Sequence, residues 1–180
     1  MRISDPSHSD AEALRIKFQS LRCSAISSFS EAEFAMGDIL SAMERSCRFP
    51  NVKFGYNVET RLSEFKRACL LKAEGKEIID RIGWAVSSFE AAINDRNALA
   101  HGAARLIPDD RAVELLKFHP TKADIYNIVR FVYDLDTMEE KVRHFDHICR
   151  NIIGLSWLLA QSCDLMDGVD SNFVIELRDN

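Results

Sequence analysis

Apolar residues recur at steps of three and four through most of the chain, and that spacing predicts four helices. The first begins at Asp10 and carries the stripe Leu14, Phe18, Leu21, Ala25, Phe29, Ala32, Met36, Ile39 and Met43. Unbroken, it is about 50 Å long at 1.5 Å per residue. Ser27, Ser28 and Ser30 are weak helix formers and mark a place for a bend. Arg48-Phe49-Pro50-Asn51 ends the element, because proline cannot continue it. After a linker over Val52 to Asn57, a shorter helix repeats Val58, Leu62, Phe65 and Cys69. A third helix repeats Ile78, Ile82, Val86, Phe89 and Ile93, and Gly102 supplies its stop. The last carries Met138, Val142, Phe145, Ile148, Ile152, Leu155, Leu159 and Cys163 and ends at Asp167-Gly168. Asp136 or Thr137 is its expected cap, and Thr137 with Glu140 fits a capping box.

Between the third and fourth helices the period changes. Arg105-Leu106-Ile107 and Val113-Glu114-Leu115-Leu116 flank the turn-forming Pro108-Asp109-Asp110-Arg111, and Ile125 to Tyr133 is β-branched and aromatic. Two or three short strands are expected there. The fold class expected is mainly α: an up-and-down four-helix bundle with a small β-hairpin or meander, 103–133, before the last helix. Residues 1–180 read as a single domain, with a leader at 1–9 and a tail at 168–180 that is either a docked strand or disordered.

Composition narrows the class. The formal charge is -5, so any contact with a polyanion needs a local basic patch. The second helix, with Arg61, Lys66, Arg67 and Lys72, is the most basic element. Five cysteines are widely spaced with no CxxC pair, which fits buried reduced thiols rather than a disulfide framework. Neither a signal peptide nor a membrane span is evident, so a cytoplasmic protein without membrane partners is expected. P-loop, GxGxxG, HExxH and GxSxG motifs are absent, and no cofactor or metal is expected. His144 and His147 share a helix face without an evident third ligand, and His119 before Pro120 reads as a loop residue.

The chemistry concentrates in Arg96-Asn97-Ala98-Leu99-Ala100-His101-Gly102. The apolar stripe of the third helix continues onto Arg96, Asn97, Ala100 and His101, so a cation, an amide and an imidazole turn toward its hydrophobic side. Burying an unpaired guanidinium costs several kcal/mol or more, which implies a satisfied network or a site. The structural alternative pairs Arg96 with Glu90, Asp95 or another acidic residue and sets His101 against the helix dipole.

Arg-Asn-x-x-x-His at the end of the third helix of a small bundle resembles the HEPN superfamily (higher eukaryotes and prokaryotes nucleotide-binding). Arg96 matches its arginine, Asn97 the polar residue that often follows, and His101 its histidine. Ala100-His101-Gly102 with the β segment after it resembles a subset of bacterial members. The resemblance implies a metal-independent endoribonuclease leaving 2′,3′-cyclic phosphate ends, or an RNA-binding domain. It further implies a homodimer with facing motifs, an RNA partner and, in a toxin–antitoxin or defence setting, a cognate antitoxin protein. His101 would move the 2′-hydroxyl proton, Arg96 would hold the scissile phosphate, and Asn97 would orient one or the other. On an ideal helix, however, Arg96 and His101 are about 140° apart. They converge on one phosphate only if the helix loosens near Leu99 or a partner chain supplies one of them. The competing class is a non-catalytic helical dimerisation or protein-interaction module.

Overall fold

A computed structural model describes residues 8–107, 111–118 and 127–165. Four helices, α1 (His8–Arg45), α2 (Val58–Lys72), α3 (Lys76–His101) and α4 (Leu135–Ser162), are joined by three strands between α3 and α4: β1 (Ala103–Ile107), β2 (Ala112–Phe118) and β3 (Ile128–Asp134). The chain is mainly helical, but it is not a plain bundle with a hairpin. The strands form an antiparallel meander in the order β1-β2-β3. Ala103 pairs with Leu116, Arg105 with Glu114, Leu116 with Arg130, and Phe118 with Ile128.

Several boundaries differ from expectation. α1 starts two residues early and runs unbroken for 38 residues, about 57 Å, past the three serines. α4 starts at Leu135 because Asp134 caps it: its Oδ1 accepts from the amides of Asp136 (2.7 Å) and Thr137 (3.2 Å). Asp136 and Thr137 are therefore inside the first turn. The helix stops at Ser162, before the expected Asp167-Gly168, which with the 168–180 tail lies outside the described residues. So do the leader up to residue 7 and His119. Cys69, Cys149 and Cys163 are buried free thiols, but Cys23 and Cys47 are exposed, against the expectation that all five are covered.

The chain packs as two compact units, and α1, α3 and α4 contribute to both. The first takes the described residues up to Glu31 and from Ser88 to Arg150. Phe29 centres its core, meeting Phe89 edge-on at 5.3 Å and Phe145 at 5.2 Å. Val113, Leu115 and Tyr133 are the buried inner face of the sheet. Gly102 is required where α3 turns into β1: a Cβ there would lie 2.5 Å from the Ala98 carbonyl oxygen and 3.2 Å from Leu115 Cβ.

The second unit takes Ala32 to Ser87 and the residues from Asn151 on. Met36, Leu40, Met43, Phe65, Ile82 and Ile152 are buried in it. Asn57 caps α2 through Thr60 N–H at 2.7 Å. Arg61 fixes the loop before α2, donating to the Gly55 carbonyl at 3.1 Å and lying 5.0 Å from the Phe54 ring centre. Arg48 donates to the Cys163 carbonyl at 2.7 Å, satisfying the end of α4.

Candidate functional site

The three motif residues sit on the last two turns of α3, in the first unit. α3 remains α-helical through Leu99 to His101, so the loosening that would bring Arg96 and His101 together does not occur. Arg96 Nη1 instead donates to Asn97 Oδ1 at 2.9 Å, and both side chains are half-buried. His101 is exposed, contrary to a stripe continuing onto it. The buried positions near the helix end are Ala98 and Leu99, and Leu99 lies on the opposite side of the helix from His101. Gly102, which follows His101, is buried against Leu115 of β2.

The cation at the α3 carbonyls is Arg22 of α1. Its Nη2 donates to the Ala100 carbonyl at 3.2 Å and to that of Gly102 at 3.5 Å. A charged donor at these orphan acceptors steadies the turn that carries His101 and complements the negative end of the helix dipole. His101 is thus not the group that caps the helix.

Beside the motif is a polar cluster that periodicity does not reveal. Asp95 is the residue before Arg96, and its carboxylate is doubly engaged. Tyr133 donates its hydroxyl to Oδ1 at 2.6 Å, and Lys141 Nζ lies 2.8 Å from Oδ2. The Lys141 ammonium is also 5.1 Å from the centre of the Tyr133 ring. Burial, and then the hydrogen bond to the Asp95 carboxylate, pushes the Tyr133 phenol well above its ordinary value. Asp95, Tyr133 and Lys141, with Phe131, Thr137 and Met138, line a cavity of about 260 Å³. A larger cavity of about 420 Å³ belongs to the second unit, lined by Cys69, Ile78, Ile82, Leu155 and Leu159 among others, and holds no motif residue. Burial raises the Cys69 thiol to about 12, so it is not a nucleophile at neutral pH.

The outer face of the sheet carries a second set of groups. Glu114 is almost completely buried, ion-paired to Arg130 and 4.0 Å from Arg105. Both arginines remain largely exposed.

The basic residues of α2 belong to the other unit. His144 and His147 are exposed on α4, and among the described residues no group of three or more His, Cys, Asp or Glu side chains is placed to hold a metal. No helix among them is long and apolar enough to cross a membrane. Comparison with protein-family models, curated proteins and solved structures yields no match.

Proposed function

We propose that the chain is a HEPN-like, metal-independent endoribonuclease that works as a homodimer in the cytoplasm, in a toxin–antitoxin or defence setting with a cognate antitoxin protein. The reading carries with it the up-and-down order of four helices expected from the helix count and short connections. What supports it most is the end of α3, where an exposed imidazole stands on the turn after an Arg96–Asn97 pair, on a helix terminus fixed by Arg22.

The chemistry divides as follows. The neutral His101 imidazole takes the proton of a ribose 2′-hydroxyl, and the 2′-oxygen attacks the adjacent phosphorus. Arg96 holds the phosphate and the charge that grows on its oxygens, with Asn97 fixing the guanidinium plane. The bond to the 5′-oxygen breaks, and that oxygen takes a proton from a second imidazolium. The products are a 2′,3′-cyclic phosphate and a 5′-hydroxyl. An uninterrupted helix holds Arg96 and His101 about 140° apart. This favours a dimer in which each phosphate meets groups from two copies.

Purified protein incubated with total cellular RNA and EDTA tests the reading. Cleavage with cyclic-phosphate ends is expected for wild type, and none for His101→Ala or Arg96→Ala. Equal cleavage by His101→Ala, with its dimer intact, would overturn it. A second reading, a non-catalytic dimerisation or protein-interaction module, is favoured by the exposed apolar side chains Phe34, Leu71 and Trp84. It predicts no cleavage by any of these proteins.

A further inference from the structure

β3 is an anomaly in its own composition. Ile128-Val129-Arg130-Phe131-Val132-Tyr133 is apolar on both sides, the pattern of a strand covered on both faces. Among the described residues only one side is covered. Tyr133 is buried and Val129 and Phe131 are half-buried, whereas Ile128, Arg130 and Val132 are exposed. Cross-strand pairing sets the exposed residues on one face with Arg105 of β1 and with Leu116 and Phe118 of β2. Phe118 is 68% exposed, large for an aromatic ring on a sheet.

The exposed carboxylate of this face, Asp134, lies at the far end of β3 opposite Ala112, away from Phe118, and the other described charges that reach solvent from it are guanidiniums. The carboxylate in the strand centre, Glu114, has 6% of its side chain exposed and lies between two guanidiniums. The side chains of Arg105 and Arg130 are 77% and 63% exposed. A chain of net charge -5 presents here an aromatic ring on the same face as two outward cations, Arg130 opposite Leu116 and Arg105 opposite Glu114, both toward one side of Phe118 along the sheet. That pairing of ring and guanidinium is what a single-stranded nucleic acid uses: bases stack on the ring, and phosphates meet the arginines.

The face also starts at the motif. β1 begins two residues after His101, Ala103 pairs with Leu116, and Phe118 is two residues further along β2. Chain geometry alone bounds the separation of His101 and Phe118 Cα atoms at about 20 Å. We infer that the outer face of the β1–β3 sheet binds single-stranded RNA, with Phe118 stacking on a base and Arg105 and Arg130 meeting phosphates on one side of the bond to be cleaved. The inference rests on the ribonuclease reading for its biological role but is tested separately from it.

The test uses a fluorescein-labelled, single-stranded 2′-O-methyl oligouridine, which has no 2′-hydroxyl to attack, and reads anisotropy across a salt series. Phe118→Leu keeps an apolar side chain and removes the ring, and should raise Kd roughly 5- to 150-fold, the range for one lost stacking contact. Phe118→Tyr should bind like wild type. Arg105→Gln should weaken binding and lower the slope of log K against log salt by about 0.7. Arg130 is left in place because Glu114 depends on it. Wild-type protein that fails to bind the strand, or Phe118→Leu that binds it unchanged, overturns the inference. So does a Phe118→Leu protein that sediments as monomer where wild type is a dimer, with binding unchanged, since the face is then a protein interface. RNA cleavage that does not depend on His101 overturns the proposed chemistry and leaves this inference standing.

Discussion

Tyr133→Phe removes one oxygen atom and no volume that packing needs, so its effect isolates a single hydrogen bond. The hydroxyl donates to Asp95 at 2.6 Å from a ring that is 7% exposed. A hydrogen bond to a charged group contributes about 1.5–3 kcal/mol. Asp95 keeps Lys141 as a second partner and about a quarter of its side chain is exposed, so water and the ammonium offset part of the loss. The expected cost is therefore near the low end, about 1.5–2 kcal/mol, or a fall in Tm of about 3–8 °C for a chain of this length. Urea unfolding followed by circular dichroism measures it, and a double-mutant cycle with Asp95→Asn gives the coupling itself. pH supplies an independent check. The folded state holds the phenol proton more tightly than the unfolded chain, whose phenol titrates near pH 10. The stabilisation is complete below about pH 10 and is lost as pH rises through the higher folded value. The gap between wild type and Tyr133→Phe should thus be constant from pH 7 to 9 and shrink from pH 10 to 12. A gap under about 0.5 kcal/mol at neutral pH, or one unchanged at pH 12, would refute the reasoning.

Phe29→Ala should cost about 3–5 kcal/mol in urea unfolding, because the ring joins Phe89 and Phe145 at the centre of the first unit. Gly102→Ala should cost about 1–3 kcal/mol by the same assay, since the added methyl group meets the Ala98 carbonyl and Leu115. An aromatic disulfide reagent at pH 8 should label Cys23 and Cys47 quickly and the three buried thiols only after denaturation; fast labelling of Cys69 would contradict its burial and raised pKa.

The sequence alone determined where the helices lie, because an apolar stripe of period 3.6 is a local property of each segment. It also placed Gly102 at the end of α3 and the β residues between α3 and α4, and it set Arg96, Asn97 and His101 on one terminal turn-pair. Tertiary structure decided what those residues touch. Asp134 caps α4 in place of Asp136 or Thr137 because its pairing with Ala112 ends β3 one residue before Leu135. All three residues have capping side chains, and sequence does not choose among them. His101 faces water while the adjacent Gly102 is buried against Leu115 of β2, and a periodic stripe does not record which neighbour arrives. Asp95, Tyr133 and Lys141 are up to 46 residues apart in the numbering and meet only when sheet and helices pack together. For the same reason Cys23 and Cys47, on segments that read like the others, lie exposed while Cys69, Cys149 and Cys163 are covered. Periodicity fixes the face a residue occupies on its own element; whether that face meets protein or solvent depends on residues far away in the chain.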